Sequence, residues 1–103
     1  MSGQRPTAIP TVQIDNDLTR VTEWHFPPGA QTGWHKHGMS YVVVPMDTGP
    51  LQLEHPDGTV TTSQLKAGQS YGRGAGVEHN VINPSEHPFT FVEIEFKTTF
   101  IDH

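Results

Sequence analysis

The chain has 103 residues, a formal net charge of −5, seven histidines and no cysteine. This length predicts a single domain with one buried core. The acidic balance argues against nucleic acid or an anionic membrane as a partner, and the lack of cysteine excludes disulfides, thiolate metal sites and cysteine nucleophiles. The N-terminal MSGQRPTAIP contains no apolar segment typical of a signal peptide or membrane span, so we expect a soluble, cytoplasmic protein.

Short β-rich segments separated by glycine and proline run through the whole sequence. We predict strands at residues 11–14, 18–26, 39–45, 51–55, 59–65, 79–83 and 89–96. No window has a convincing helical period, and strands at this spacing are typical of an all-β sandwich or barrel. We therefore expect one all-β domain over residues 11–103, preceded by a mobile or partner-docking arm over residues 1–10.

Two histidines lie two positions apart in the segment GWHKHGMSY, residues 33–41. If the chain is extended from residue 35, His35, His37, Met39 and Tyr41 share one face, because side chains alternate along a strand. Two imidazoles about 7 Å apart along a strand can tilt toward one metal ion. A third ligand then has to come from elsewhere, and an isolated pair of this kind is also typical of a solvated strand edge.

A second histidine-containing segment, GQSYGRGAGVEHNVIN, covers residues 68–83. Its glycine-rich loop ends at His79, and Asn83 follows four residues later. Loop glycines permit backbone conformations that are barred to other residues, which suits a sharp return of the chain into a barrel. This segment is the candidate source of the third ligand.

These two segments together resemble the two motifs of the cupin family. Residues 29–41 follow G-x5-H-x-H-x3-Y, which is similar to the first motif, G-x5-H-x-H-x3-E. Residues 68–83 follow G-x5-G-x-G-x2-H-x3-N, which is similar to the second motif, G-x5-P-x-G-x2-H-x3-N. The chain also resembles short bacterial cupins of amino-acid and β-alanine breakdown, especially in TEWHFPPGAQTGWHKH and FVEIEFK. The resemblance implies a single RmlC-like cupin domain, a double-stranded β-helix or jelly-roll barrel.

The chain departs from the cupin motifs at three positions. Tyr41 replaces the usual metal-binding glutamate, Gly74 replaces a proline, and the glycine that closes the first motif is Gly49, displaced by one. The last two lie in predicted turns, so only the tyrosine alters the expected chemistry.

By this resemblance, His35, His37 and His79 converge on one divalent metal ion, and Asn83 has a structural role. A three-histidine site lacks the negative charge of the glutamate, which leaves a more Lewis-acidic ion with more open positions. We expect Fe(II), with Mn, Ni, Cu or Zn as alternatives that the ligand types do not separate. Three-histidine cupins include iron dioxygenases that attack thiol acids and β-diketones.

Tyr41 and Arg73 are the candidate catalytic residues. Tyr41 is interpreted as a hydrogen-bond partner of the ligands, as an acid for a metal-bound intermediate, or as a phenolate ligand, which its reference pKa of ~10 disfavours. Alternatively, its ring only fills the space left by the glutamate. Arg73, beside the glycine loop, is interpreted as holding a substrate carboxylate in a bidentate pair, or as a partner in a structural ion pair.

The other acidic residues and histidines are weaker candidates. In FVEIEF the apolar residues Val92, Ile94 and Phe96 are expected to line the barrel, with Glu93 and Glu95 facing solvent or a second copy; the reverse orientation would bring Glu93 toward the metal. We expect Glu78 at the surface. The remaining four histidines fit no ligand motif: His25, His55, His87 and His103.

We predict a metal-dependent, dioxygenase-like enzyme acting on a small organic acid or dicarbonyl. The alternatives are a non-catalytic cupin that binds metal or a small ligand, and an oxygen-independent isomerase or hydrolase, since one fold supports many functions. We expect a homodimer formed through sheet edges with the help of Trp24 and Phe26.

Overall fold

The computed structural model describes residues 5–97, which form nine β-strands and no helix. In chain order the strands are β1 (Ile9–Asp15), β2 (Thr19–Phe26), β3 (His35–Lys36), β4 (Tyr41–Pro45), β5 (Gly49–Glu54), β6 (Val60–Leu65), β7 (Tyr71–Arg73), β8 (Glu78–Ile82) and β9 (Phe89–Phe96). The prediction of an all-β fold is therefore confirmed. No helix able to cross a bilayer occurs over this range.

The strands form two sheets that enclose one core. One sheet has the order β1-β2-β9-β4-β7 and the other has the order β3-β8-β5-β6. Every named strand pair is antiparallel, and sequence-distant strands such as β2 and β9 lie side by side. Such crossing between sheets is typical of a jelly roll. The core between the sheets includes these buried side chains: Phe26, Val43, Leu51, Val81, Phe89 and Phe91.

All seven predicted strand segments overlap observed strands, but two short strands were missed. β3 and β7 have only two and three residues, too few to show an alternating pattern. The condition of a chain extended from His35 to Tyr41 is not met, because the chain bends at Gly38 and Met39. His35 consequently belongs to the four-stranded sheet and Tyr41 to the five-stranded sheet. They share one site because the barrel closes, and not because they alternate along one strand.

Part of the predicted N-terminal arm is bound to the barrel. β1 begins at Ile9, two residues before the predicted domain boundary. Ala8 is only 2% exposed, and its N–H donates to the Gln31 carbonyl at 2.8 Å. Thr7 also forms a bridge with Gln31. Residues 1–4 lie outside the described residues, and the mobility of the arm stays a prediction.

The orientation expected for β9 is wrong. Glu93 is 8% exposed, on the same face as the buried Phe89 and Phe91. Val92 and Ile94 lie half-buried on the opposite, outer face. Side chains two positions apart share a face, so the two core phenylalanines fix the direction in which Glu93 points. The segment has apolar residues on both faces of the strand, so its sequence pattern alone does not decide which face is buried.

Two aromatic residues expected at a dimer edge lie inside the barrel. Phe26 is fully buried, with its ring centroid 5.4 Å from that of Phe91. Trp24 lines the barrel cavity. Neither ring is available at a sheet edge, and the homodimer itself stays a prediction.

Candidate metal centre and barrel cavity

Three histidines from two distant segments of the chain meet at one point of the barrel wall. His35 on β3 is the register partner of His79 on β8, and His37 directly follows β3. The Nε2 atom of His37 lies 3.1 Å from Nε2 of His35 and 3.2 Å from Nε2 of His79. The three rings meet edge to face at interplanar angles of 73° to 90°. The predicted trio is therefore brought together with its nitrogens converging.

The glycine-rich loop fixes the backbone of His37. The N–H of His37 donates to the Val77 carbonyl at 2.8 Å, and the Gly76 N–H donates back to the His37 carbonyl at 2.7 Å. Gly76 has a φ of 96°, a backbone conformation that strongly favours glycine. This turn brings His79, three residues later, opposite His35. The loop therefore places His79 relative to His35 and His37.

A hydrogen-bond network sets the orientation of the His35 ring. Its Nδ1 lies 2.9 Å from the Gly33 carbonyl, an acceptor, so Nδ1 carries the proton and Nε2 has a free lone pair. The Gly33 N–H in turn donates to Oδ1 of Asn80 at 2.9 Å. Asn80 is 2% exposed and also donates to Glu54 at 2.8 Å. The residue after His79 thus helps to hold the loop before His35.

Burial keeps the remaining two imidazoles neutral. Desolvation, followed by the neighbouring His35, lowers the pKa of His37 to about 4. Desolvation, followed by the charges of His35 and His37, lowers the pKa of His79 to about 3. A neutral imidazole offers a lone pair to a cation, whereas a protonated one does not. Near neutral pH His37 and His79 therefore present uncharged nitrogen donors.

The spacing of these nitrogens fits one transition-metal ion. Ligand nitrogens about 2.1 Å from a common centre are roughly 3.0 Å apart at a right angle and roughly 3.4 Å apart at a tetrahedral angle. The measured separations of 3.1 and 3.2 Å fall between these values. The three histidines form a group able to hold a metal, and imidazole donors suit Fe, Ni, Cu and Zn.

Tyr41 stacks on a member of the trio. Its ring centroid is 3.9 Å from that of His37, with an interplanar angle of 22°, and the residue is 3% exposed. Burial, followed by the charge of Glu93, raises the pKa of Tyr41 to about 12. The side chain therefore stays a phenol, which disfavours the phenolate-ligand interpretation. The ring of Tyr41 packs against His37, and its hydroxyl stays protonated and can donate a hydrogen bond.

Glu93 lies behind His37. Its Oε2 is 4.0 Å from Nδ1 of His37, on the side of the ring away from the other two histidines. Burial, followed by the charge of Glu95, raises the pKa of Glu93 to about 7, and a hydrogen bond from Trp24 opposes this rise. A carboxylate behind a metal-ligating histidine favours the tautomer with its other nitrogen free. In this position Glu93 supports His37 and does not replace the missing glutamate ligand.

Arg73 is exposed and lies at the mouth of the cavity. The guanidinium is 4.7 Å from the centroid of the Tyr71 ring and donates to the Gly72 carbonyl at 3.1 Å. Over residues 5–97, no carboxylate forms an ion pair with it. The structure therefore does not support the alternative that Arg73 is a partner in a structural ion pair.

The histidines open onto a cavity of about 630 Å³ inside the barrel. Its walls are mainly apolar, with Leu51, Leu53 and Phe91 among the lining side chains. Charged and polar side chains line it as well: Arg20, Lys36, Tyr41, Arg73, Glu93 and Glu95. A volume of this size is typical of sites for small organic molecules.

Comparison with known proteins identifies the family. A model described as the cupin domain matches residues 22–95. The chain belongs to the cupin family. The beta-alanine degradation protein BauB of Pseudomonas aeruginosa is 60% identical to this cupin over 97 residues, covering 94% of this chain and 100% of BauB.

Solved structures agree with the assignment. A cupin domain from Bordetella pertussis Tohama I has a TM-score of 0.91 and 66% identity, covering 94% of this chain and 100% of that one. The polyketide cyclase RemF of Streptomyces resistomycificus has a TM-score of 0.70 at 19% identity, covering 93% of this cupin and 71% of RemF. At that identity the likeness shows the fold alone.

Asn80 and Glu95 of this cupin's site were not assigned to it from the sequence, and Glu93 was assigned to it only in the alternative orientation of β9. Asn80 lies between two residues of the second motif but is not itself a motif position, so the motif gives no signal for it. Glu93 and Glu95 were expected outside, although the parity of Phe89 and Phe91 carried the signal that places them inside.

Glu78 and Asn83 of this cupin both lie where the sequence places them. Glu78 is exposed, as expected. Asn83 is fully buried, and its amide donates to the carbonyls of Phe26 and His87 at 3.3 and 2.8 Å, which agrees with a structural role.

Proposed function

We propose that this protein is a metal-dependent enzyme that acts on a small carboxylic acid inside the barrel. One observation carries the proposal: three Nε2 atoms, with neighbouring separations of 3.1 and 3.2 Å, converge beside a cavity of about 630 Å³. A structural metal site is closed by four protein ligands, whereas a catalytic site keeps a position open. Three histidines leave positions for a substrate.

His35, His37 and His79 would hold the ion. When bound, the ion would act as a Lewis acid toward a substrate oxygen and, if redox-active, would supply electrons for oxygen chemistry. Fe(II) is the metal we favour, with Mn, Ni, Cu and Zn as alternatives that metal analysis separates.

The chain's own groups have distinct proposed roles. Arg73, which has no ion pair over residues 5–97, would hold the substrate carboxylate through its two parallel N–H groups. The Tyr41 hydroxyl, protonated at all physiological pH values because burial raises its pKa to about 12, would donate a hydrogen bond or a proton to the substrate. The apolar walls would exclude water from the reacting groups.

The kind of substrate is suggested by the relative's name. BauB, which is 60% identical to this chain, is a beta-alanine degradation protein. The compounds of such a route are small carboxylates, which agrees with an arginine at the cavity mouth that forms no ion pair over residues 5–97. We propose a substrate of this class, and a dioxygenase-like reaction as the form of the chemistry.

The test is turnover by metal-loaded protein. The purified protein is stripped with a chelator, reloaded with Fe(II), and assayed for oxygen uptake and product formation with three- and four-carbon carboxylic acids. His79→Ala is the inactive comparison, and His25→Ala is the matched control, since His25 bonds Thr90 on the sheet's outer face. Turnover that persists without oxygen indicates an isomerase or hydrolase. Tight metal binding without turnover indicates a non-catalytic binding protein.

The oligomer and the compartment are also proposals. We propose a homodimer, supported by the half-buried outer face of the five-stranded sheet, where Val21, Ile94 and Val42 are register neighbours. Light scattering after size exclusion would test it. A cytoplasmic location remains an expectation that fractionation of cells would test.

A further inference from the structure

Charges of both signs lie in one row on the inner face of the five-stranded sheet. Strand register places Arg20 beside Glu95, Glu95 beside Tyr41, and Tyr41 beside Arg73. All four side chains line the cavity. Neighbouring strands are about 4.8 Å apart, so Glu95 and Arg73 are separated by about 10 Å of backbone, with Tyr41 between them. A ligand above Tyr41 therefore lies within reach of one carboxylate and one guanidinium group.

The two arginines of the row differ in their partners. Arg20 has an acid of its own, because its Nε lies 3.5 Å from Oδ2 of Asp15. Arg73 has none over residues 5–97. It is the register partner of Tyr41, whose ring stacks on His37, so Arg73 lies near the histidine trio. Arg73 is thus a cation at the cavity mouth without a counter-ion among residues 5–97.

The carboxylates of β9 show the opposite imbalance. Glu93 and Glu95 are two positions apart on the inner face, and together with His37 they form a group able to hold a cation. Glu93 is about nine-tenths buried and lines the cavity. In the described part of the chain, no lysine or arginine forms an ion pair with either carboxylate. Their mutual repulsion contributes to the raised pKa of Glu93.

A ligand with one charge would compensate only one of these two ends. A carboxylic acid without an amine would neutralise Arg73 but bring a second anion near Glu93 and Glu95. A simple amine would do the reverse. Glu93 is buried and Glu95 is half-buried, so an uncompensated charge is costly there, whereas Arg73 is exposed and can pair with an anion that reaches the cavity mouth. A ligand that carries both charges satisfies the arginine and the glutamates together.

We propose that the cavity binds a small amino acid as a zwitterion, with its carboxylate on Arg73 and its ammonium group at Glu93 and Glu95. The inference rests on the proposed function, because it names the substrate class of the same cavity. A short chain between the charges suits a ligand that spans the Tyr41 ring. β-Alanine, in which two methylenes separate the charged groups, is the natural probe.

The experiment compares the affinities of three probes for the metal-loaded protein by calorimetry. β-Alanine carries both charges, propanoate lacks the ammonium group, and 3-aminopropanol lacks the carboxylate. Each charge-assisted contact gives a factor of roughly ten or more in affinity. We therefore expect β-alanine to bind at least about tenfold more tightly than either of the other probes.

Variants then assign each charge to its residue. Arg73→Gln and Glu95→Gln should each weaken β-alanine binding by about tenfold or more. Arg5→Gln is the matched control for the arginine, since Arg5 pairs with Glu54 and does not line the cavity. Glu23→Gln is the matched control for the acid, because Glu23 pairs with Val92 on the outer face. Both controls should bind as the parent does.

The outcomes separate this inference from the proposed function, because metal content and turnover are measured on the same samples. Equal affinity for β-alanine and propanoate, equal losses in Arg5→Gln and Arg73→Gln, or no binding of β-alanine would each overturn the zwitterion while leaving the metal centre intact. Uptake of a second metal equivalent that Glu95→Gln abolishes would also overturn it. If Glu95→Gln fails to fold, the probe comparison on the parent protein and Arg73→Gln still decide.

Discussion

Acidification from pH 6.5 to pH 4.5 should destabilise the metal-free protein. The pKa of His37 is lowered to about 4 and that of His79 to about 3, against an ordinary value of 6.5. In this pH range the unfolded chain therefore binds two protons that the folded chain does not. Stability rises with pH wherever the unfolded state binds more protons. These two histidines contribute stability that is present above pH 6.5 and lost as the pH falls.

Glu93 opposes the two histidines. Its pKa is raised from 4.5 to about 7, so above pH 4.5 the folded chain keeps a proton that the unfolded chain loses. The net difference is one proton, equivalent to about 1.4 kcal/mol per pH unit and to at most about 2.7 kcal/mol over two units. Solvent in the cavity screens these charges, so we expect a loss of about 1 to 2 kcal/mol.

The assay is urea unfolding of chelator-treated protein at fixed pH values, followed by the fluorescence of Trp24 and Trp34. His79→Gln should make the free energy of unfolding depend less steeply on pH, because the unfolded chain can no longer bind a proton at position 79. Glu93→Gln should steepen it toward about 2.7 kcal/mol per pH unit, since the opposing group is gone. Stability that stays constant or rises on acidification would refute the assignment of buried neutral histidines. A slope that Glu93→Gln leaves unchanged would refute the role of Glu93.

Further predictions concern single side chains. His79→Ala should lower bound metal from about one equivalent to near zero by elemental analysis, whereas equal metal content in His79→Ala and the His25→Ala control would exclude the three-histidine site. Tyr41→Phe keeps the ring that stacks on His37 and loses only the hydroxyl, so metal content should be unchanged while turnover falls by about 10²-fold or more; unchanged turnover would leave Tyr41 with a packing role alone. Asn83→Ala removes a fully buried amide that bonds several loop carbonyls, and urea unfolding should show a loss of about 2 to 4 kcal/mol; a loss below about 0.5 kcal/mol would contradict that role.

The positions of the three candidate metal ligands were accessible from the sequence because the spacing of their motifs is local. HxH and the glycine-rich return to His79 depend on a few residues each, and glycine at position 76 is required by a φ of 96° whatever the rest of the fold does. The alternation of short β-segments likewise specified an all-β domain, since a period of two excludes amphipathic helices. These features are properties of short stretches of chain.

The composition of the cavity, in contrast, was decided by tertiary structure. FVEIEF has apolar residues at both parities, so only the packing of Phe89 and Phe91 against the core decides that Glu93 points inward. The row that joins Glu95, Tyr41 and Arg73 comes from three strands whose register no local pattern encodes. The sequence by itself determined which residues could bind a metal; the pairing of β4 with β7 and β9 decided which charges stand beside it, because that pairing is set by closure of the whole barrel.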